Sequence, residues 1–200
     1  NANWKELHSK FANALPNQQW GEATPISMYW DAAPERIWSY NPKMRLIAVL
    51  RNPIERAYSH WTMEKSRNAE LLSFEEALQR EEERSREALP KQHRVFSYID
   101  RGFYSSQLKR LWRFFGKDQV LVLRHENLRL TPDICLKSIW DHLGLNPEQN
   151  IKPLERHTSN YEEPMSIKAH QRLRKIYWHE ISQLEALLNW DCSNWLKKNQ

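Results

Sequence analysis

The chain has 200 residues, of which 40% are apolar and 28% are charged, and its formal net charge is +5. This length and composition predict one globular domain with a single core, and no apolar run approaches the roughly 18 residues of a membrane span. Four glycines are present, no two of them close together. Their spacing excludes the three-glycine dinucleotide fingerprint and the Walker-type phosphate loop, so a nucleotide would have to be held in another way.

The excess of basic over acidic residues favours an anionic partner. The 30 Lys and Arg residues are interleaved with 25 Asp and Glu residues and form no block. This argues against nucleic acid and leaves an anionic small molecule or a glycan. Cys135 and Cys192 lie far apart in sequence, so we expect neither a disulfide framework nor a metal site. A reducing compartment, the cytoplasm, is the expected location.

The first 20 residues carry apolar side chains at three- and four-residue spacing, which predicts a short amphipathic helix; they are Trp4, Leu7, Phe11 and Leu15. This helix is expected to end before Pro16. Residues 21–29 are predicted to form a loop or a short extended segment interrupted by Pro25. Residues 33–40 are predicted to form a brief helix with a proline in its first turn.

Residues 44–50 (MRLIAVL) form the clearest strand of the sequence. The segment is short, nearly all apolar and flanked by turn residues, which is typical of a strand covered on both faces. Pro53 fits the first position of a following helix, with Asn52 as its cap, and this helix is predicted to run through Lys65. Residues 119–123 (QVLVL) form a second buried strand.

Several further helices are predicted from their caps. Ser73 and Glu76 form a capping box for a helix that runs to about Glu87, with its charge-dense part as a solvated face. Another helix begins at residue 100 or 101 and stops at Gly116. The remaining predictions are helices over 132–143, capped by Gly144, and over 166–188, followed by the core-packing residues Trp190, Trp195 and Leu196.

Strands separated by helices predict parallel strands with crossover connections, which is an α/β fold. Two strands are few for such a sheet. No internal repeat or low-complexity linker divides the sequence, so residues 1–200 are predicted to form a single domain.

The carboxyl end of the first strand is the expected ligand site, because ligands of open parallel sheets bind there. Arg51 leaves the strand at this edge, and the helix from Pro53 directs its N–H groups and the positive end of its dipole to the same place. Ser59 adds a hydroxyl, so the three features predict a phosphate site built without glycine. The same residues also allow a structural interpretation, in which Arg51 pairs with Glu55 and Ser59 is an ordinary helix surface residue.

The motifs from residue 21 onward resemble those of the sulfotransferases that use 3′-phosphoadenosine 5′-phosphosulfate (PAPS), above all bacterial members and the Golgi heparan sulfate enzymes. The matching segments, in order, are GEATPISMYW, NPKMRLIAVL, LRNPIERAYSHW, GFYSSQLKRLWRFFGKDQVLVL and IWDHLGL. The resemblance implies a P-loop-NTPase-like fold, a three-layer α/β/α arrangement in which helices flank a parallel sheet.

The resemblance also assigns roles to individual residues. Arg51 and Ser59 match the pair that binds the 3′-phosphate of the nucleotide. Tyr104 matches the tyrosine of a G-x-Y motif that contributes to the nucleotide pocket, although a core position on a helix is an equally good interpretation. Glu22 and Thr24 fall in the segment that faces the acceptor groove.

Other motif positions are interpreted as structural. Arg56 and Tyr58 match positions for a salt bridge and for core packing. Trp30 or Trp38 could stack on a sugar or pack in the core. The family usually brings a basic segment over the nucleotide after Gly144, and the basic residues available for it, none individually assigned, are Lys152, Arg156, His157 and Lys168.

The family's K-x-G-T-T-[ST] loop, which wraps the 5′-phosphosulfate and supplies a lysine, has no match in this sequence, and neither has the first strand of its sheet. We therefore expect an N-terminally incomplete domain. The catalytic base of the heparan sulfate enzymes lies in a K-E-x-H segment, which residues 5–8 spell, so Glu6 and His8 are candidates. Trp4 and Phe11 instead fit a helix that precedes the GExTP motif in bacterial members.

The expected function is transfer of a sulfuryl group from PAPS to a hydroxyl or amine of a carbohydrate or small metabolite. Adenosine 3′,5′-bisphosphate is then the nucleotide product, and no metal is required. A non-catalytic nucleotide-binding module of the same fold and a degenerate nucleotide kinase-like protein are the alternatives. The lumen of the Golgi is the alternative location if the chain is eukaryotic.

Overall fold

The computed structural model describes residues 3–147 and 164–197. The described part contains two strands, eight α-helices and four short 3₁₀ helices. No helix in this part is both long and apolar enough to cross a membrane. The elements are α1 (Trp4–Ser9), α2 (Ala33–Tyr40), β1 (Leu46–Leu50), α3 (Pro53–Ser66), α4 (Phe74–Arg86), α5 (Tyr104–Leu111), β2 (Val120–Arg124), α6 (His125–Leu130), α7 (Pro132–Leu143), α8 (Ile167–Leu188), and 3₁₀ turns at Pro25–Ser27, Asp100–Gly102, Lys117–Gln119 and Ser193–Leu196.

The two strands pair in parallel, with Leu46 opposite Val120 and Leu50 opposite Arg124. Parallel pairing requires a crossover connection, which α3, α4 and α5 provide. Helix α8 packs against α3 and α5, and α7 packs against β2. The α/β architecture with a parallel sheet is therefore confirmed, and the sheet has two strands within the part of the chain that the structure describes.

The core lies between one face of the sheet and helices α3, α5 and α8. Its side chains are buried because the apolar residues of α8 recur at three- and four-residue spacing and form one stripe. Its fully buried side chains include Leu50, Ile54, Leu108, Leu173, Tyr177, Ile181, Leu184 and Trp195. Burial of Trp195, with partial burial of Trp190 and Leu196, confirms that these residues pack on the core.

The expectation that the first strand is covered on both faces is wrong for β1. Ile47 and Val49 are 39% and 46% exposed, whereas Leu50 is 1% exposed. Successive side chains of a strand point to opposite faces, so Ile47 and Val49 share the face that no described residue fully covers. An apolar run alone does not show whether both faces are packed.

The predicted caps are confirmed. The Asn52 side chain accepts from the Ile54 N–H, and Ser73 and Glu76 form both hydrogen bonds of a capping box. Gly144 has φ +68° at the end of α7, a conformation that favours glycine. These signals are local, because the capping side chain and the N–H it binds lie within three residues of each other.

Three helices differ from their predictions. The helix predicted from residue 100 or 101 to Gly116 is a 3₁₀ turn at Asp100–Gly102 followed by α5, which ends at Leu111. Helix α1 ends at Ser9, and the chain continues in turns through residue 13. The apolar spacing continues through Phe11 and Leu15, but a short helix has few internal hydrogen bonds to offset its nucleation, and this spacing does not extend α1 to Pro16. Helix α6 (His125–Leu130) follows β2 directly, where the sequence indicated only polar residues.

The charge-dense part of α4 is not simply a solvated face. Arg84 is buried and its guanidinium lies 2.9 Å from the Glu70 carboxylate, which also accepts from the Tyr98 hydroxyl at 2.9 Å. The guanidinium stacks on the Phe96 ring at 3.9 Å. This network ties α4 to the segment before α5. It was missed because Glu70 and Tyr98 are distant from Arg84 in sequence.

We expect Arg84→Leu to lower the free energy of unfolding by about 3–5 kcal/mol, because it leaves the buried Glu70 carboxylate without its cation. Arg80→Leu is the matched control on the same helix, since the Arg80–Glu83 pair is exposed and such pairs contribute about 0–1 kcal/mol. Urea unfolding of both variants measures the difference. Equal small losses would show that the buried pair does not stabilise the fold.

Candidate functional site

Arg51 follows Leu50 at the carboxyl end of β1. Its Nε and Nη2 atoms lie 3.4 and 3.3 Å from one carboxylate oxygen of Glu55. The two side chains are 29% and 32% exposed. The pairing with Glu55 that the sequence allowed is therefore present, at an edge that solvent still reaches.

The first turn of α3 lies next to Arg51. Pro53 has no N–H, and the Ile54 N–H donates to the Asn52 side chain at 3.0 Å. The Arg56 N–H donates to the Asn52 carbonyl at 2.9 Å. The helix therefore begins where it was predicted to begin, but its first turn directs fewer N–H groups to the sheet edge than the sequence indicated.

Ser59 lies on the same side of α3 as Glu55. Residues four apart on a helix are neighbours, with Cβ atoms about 5–6 Å apart. Ser59 is half-buried. Arg51 contacts Glu55 just before the start of α3, and the four-residue spacing places Ser59 next along α3, so the three residues form one row that runs from the strand end along the helix.

Tyr104 contacts this edge of the sheet at the backbone of Arg51. Its hydroxyl donates to the Arg51 carbonyl at 3.1 Å, and the side chain is 4% exposed. Burial raises the pKa of Tyr104 to about 12, so the hydroxyl stays protonated and remains a donor at neutral pH. The core interpretation of Tyr104 is therefore confirmed, and its hydroxyl holds the backbone of Arg51.

The glycine of the G-x-Y segment is explained by close packing. A Cβ at Gly102 would lie 2.3 Å from the hydroxyl oxygen of Tyr177. That hydroxyl donates to the Ile99 carbonyl at 2.7 Å, and Tyr177 is fully buried. Only glycine fits this contact, which sets the position from which α5 and Tyr104 begin.

His125 was missed in the sequence. The strand register places Leu50 opposite Arg124, so the residues that follow, Arg51 and His125, leave neighbouring strands at the same edge. Burial, and then the charge of Arg51, lower the pKa of His125. The available signal was its position directly after the second strand.

Glu6 and His8 lie elsewhere. Glu6 makes hydrogen bonds to Asn3 at the start of its own helix, and the His8 Nε2 atom lies 2.9 Å from the Tyr40 hydroxyl. Tyr40 ends α2, which leads into the amino end of β1. Since β1 spans about 16 Å, the structure does not bring these two candidates together with Arg51.

The two proposed acceptor-groove residues are both exposed. The Thr24 hydroxyl donates to the Glu22 carboxylate, so they form one local pair. Trp30 and Trp38 are 40% and 43% exposed, so neither is a fully packed core side chain.

The structural interpretation is confirmed for Tyr58 but differs in its partner for Arg56. Tyr58 is buried, and its ring packs edge-on against Phe74, which confirms the core role. Arg56 donates to the Tyr98 carbonyl, not to a carboxylate. Among the later basic residues, Lys168 is exposed on α8, while Lys152, Arg156 and His157 lie outside the described residues.

Comparison with known proteins bears on this geometry. The sulfotransferase domain family matches residues 19–184. The chain belongs to the sulfotransferase domain family. It is also similar to a solved sulfotransferase from Alicyclobacillus acidocaldarius, with 25% identity and a TM-score of 0.81 over 96% of this chain and 74% of that one.

Two mouse relatives are much longer than the part that matches this chain. The bifunctional heparan sulfate N-deacetylase/N-sulfotransferase 3 is 27% identical over 74% of this chain and 16% of its own length. The heparan sulfate glucosamine 3-O-sulfotransferase 3B1 is 32% identical over 62% of this chain and 30% of its own length. The chain thus spans less than a third of these curated relatives.

A cavity of about 450 Å³ lies beside α4 in the sulfotransferase domain, lined in part by Tyr29, Glu81 and Asp100. The Glu81 carboxylate accepts from the N–H groups of Ile99 and Asp100 at 2.7–2.9 Å. Burial raises the pKa of Glu81 to about 7. The described residues contain no group of three His, Cys, Asp or Glu side chains placed to hold a metal ion.

We expect Gly102→Ala to lower the free energy of unfolding by about 1–3 kcal/mol, because the added methyl group meets a buried tyrosine that has no room to move. Gly21→Ala is the control, since nothing lies within 4 Å of a Cβ at that position. Thermal unfolding of both variants decides the point. A Gly102→Ala protein as stable as Gly21→Ala would contradict the close-packing explanation.

Glu81 makes the stability depend on pH in a defined direction. Because its folded pKa of about 7 exceeds the unfolded value of 4.5, the folded protein holds a proton that the unfolded chain releases between these pH values. Stability is therefore gained as the pH falls through 7. When the pH is lowered from 8 to 5.5, we expect the free energy of unfolding of the wild type to rise by about 1–2 kcal/mol relative to that of Glu81→Gln.

The two proteins are compared at each pH by urea unfolding, because other groups titrate in both. Burial lowers the pKa of His60 to about 2, so His60 opposes folding as the pH falls below about 6.5, equally in the two proteins. A stability difference between wild type and Glu81→Gln that does not change with pH would show that Glu81 is ionised throughout.

Proposed function

We propose that this sulfotransferase domain binds PAPS and moves its sulfuryl group to a hydroxyl or amine of a carbohydrate acceptor. The observation that carries the proposal is the row formed by Arg51, Glu55 and Ser59 at the carboxyl edge of the sheet. Relatives named for N-sulfation and 3-O-sulfation of heparan sulfate support an amine and a hydroxyl, respectively, as acceptor groups.

Arg51 and Ser59 are suited to the 3′-phosphate that distinguishes this donor from an ordinary adenine nucleotide. A guanidinium offers two parallel N–H donors to a phosphate, and a hydroxyl adds a third donor. The ion pair with Glu55 is partly exposed, and such pairs contribute about 0–1 kcal/mol. Both Arg51–Glu55 hydrogen bonds are long and end on one carboxylate oxygen, whereas a phosphate accepts two parallel N–H bonds and carries more charge, so we expect a bound phosphate to replace Glu55 as the partner of Arg51.

Tyr104 is a supporting residue of the proposed donor site. It holds the Arg51 carbonyl by a hydrogen bond from a buried hydroxyl. Its ring is too buried to stack on a nucleotide base, so its contribution is to fix the backbone from which the Arg51 guanidinium extends.

Sulfuryl transfer breaks the bond between sulfur and the 5′-phosphate oxygen and forms one between sulfur and the acceptor oxygen or nitrogen, which loses a proton. The reaction requires the acceptor and the leaving phosphate to lie in line with the sulfur. Arg51 and Ser59 contribute by anchoring the far end of the nucleotide, which restricts the orientation of the donor. We assign neither the proton acceptor nor the cation at the leaving phosphate to a residue.

We expect Arg51→Ala to weaken binding of adenosine 3′,5′-bisphosphate by about 1.5–3 kcal/mol, and Ser59→Ala by about 0.5–1.5 kcal/mol. Binding of adenosine 5′-monophosphate, which lacks the 3′-phosphate, should change little. Isothermal titration calorimetry with both nucleotides measures the effect. Arg67→Ala, at the exposed far end of α3, is the control that removes the same charge.

Equal affinity of the wild-type chain for the two nucleotides would overturn the roles of Arg51 and Ser59. Transfer is tested separately on the full-length protein, because this chain has no match to the 5′-phosphosulfate loop. The assay uses labelled sulfate on PAPS and carbohydrate acceptors that present free hydroxyl or amino groups. Selective binding of the bisphosphate without transfer would favour the non-catalytic module over the enzyme.

A further inference from the structure

Residues 190–196, here called the C-terminal segment, lie across the carboxyl edge of the sheet. Arg124, the last residue of β2, donates to the Asp191 carbonyl at 2.6 Å and to the Asn194 side chain at 3.1 Å. Its guanidinium also lies 5.9 and 5.3 Å from the ring centres of Trp190 and Trp195. The end of β2 is thereby fixed to this segment by hydrogen bonds and by cation–π contacts.

Trp195 connects the ends of both strands. Its indole N–H donates to the Glu126 carboxylate at 2.9 Å, just beyond β2. Its carbonyl accepts from the Asn52 side-chain amide at 3.0 Å, just beyond β1. Trp195 is 1% and Asn52 is 4% exposed, so water cannot replace these bonds without local opening.

Asn52 lies between Arg51 and Pro53, where the donor site is proposed. Its side chain has two partners, because the oxygen caps α3 and the amide nitrogen binds Trp195. The preceding peptide is held on the other side, since the Arg51 carbonyl accepts from Tyr104. The backbone that carries the Arg51 guanidinium is thus fixed from two directions, and one of them is the C-terminal segment.

We propose, on the basis of the proposed function, that the C-terminal segment is a positioning element of the donor site. Through the contact between Trp195 and Asn52 it holds Arg51 in the place where the guanidinium meets the 3′-phosphate. Trp195 does not touch the nucleotide. It affects binding of the 3′-phosphate only, because it acts through the position of Arg51.

Two variants separate this positioning role from a general contribution to folding. Asn52→Ser keeps a side-chain oxygen that caps α3 but lacks the amide that reaches Trp195, and it adds no charge. Trp195→Phe keeps an aromatic ring and the backbone carbonyl that Asn52 binds, but it removes the indole N–H that fixes the C-terminal segment to Glu126, so it loosens the segment that presents this carbonyl. Asn52→Ser decides the question if Trp195→Phe does not fold.

The measurement is the affinity of each folded protein for adenosine 3′,5′-bisphosphate and for adenosine 5′-monophosphate. We expect bisphosphate affinity to fall about three- to tenfold in both variants, the equivalent of one lost hydrogen bond, and monophosphate affinity to fall less than about twofold. Arg84→Leu, which weakens the fold away from this edge, is the control and should leave the ratio of the two affinities unchanged.

Each outcome has a separate meaning. If both variants lose affinity equally for the two nucleotides, or lose none, the ratio of the two affinities stays at the wild-type value. This result would overturn the positioning role while leaving the donor site in place. A wild-type chain without preference for the bisphosphate would overturn the proposed function itself, and the positioning role with it.

Discussion

The parallel register in which Leu50 lies opposite Arg124 determines which polar residues meet at the carboxyl edge of the sheet. A shift of one residue would turn every side chain of one strand to the other face, and the core face of β1 would then present Ile47 and Val49. In the observed register, Arg51 and His125 leave neighbouring strands together. The helix after β1, the tyrosine of α5 and the C-terminal segment then all contact the backbone around Arg51.

Buried carboxyl groups stabilise the parts of the domain that lie away from this edge. The Glu70 carboxylate binds Arg84 and Tyr98, and Glu81 accepts two backbone N–H groups at the turn before α5. That turn includes Gly102, whose contact with Tyr177 sets the start of α5. The position of Tyr104 therefore depends on the packing of this turn, whereas the Glu70–Arg84 pair stabilises the fold away from the proposed donor site.

Local chemistry explains what could be predicted from the sequence. The caps at Asn52, Ser73 and Gly144 act within one helical turn, so three or four consecutive residues specify each of them. The row from Arg51 to Ser59 follows from helix periodicity in the same way. The exposed face of β1, the buried pair of Arg84 and the position of His8 depend on residues distant in sequence. Periodicity cannot show which distant residue covers a side chain or pairs with it.

Arg51 combines a fixed backbone with a side chain that solvent reaches. Its carbonyl and the neighbouring Asn52 amide are bound by buried partners, whereas its guanidinium pairs with a carboxylate that solvent reaches. Exchanging Glu55 for a phosphate then changes side-chain contacts and leaves the backbone in place. Little ordering is required on binding, and preorganisation of this kind raises affinity without new contacts. The scarcity of glycine is consistent with such a site, because a guanidinium and a hydroxyl, unlike backbone N–H groups, do not require the chain to wrap around the phosphate.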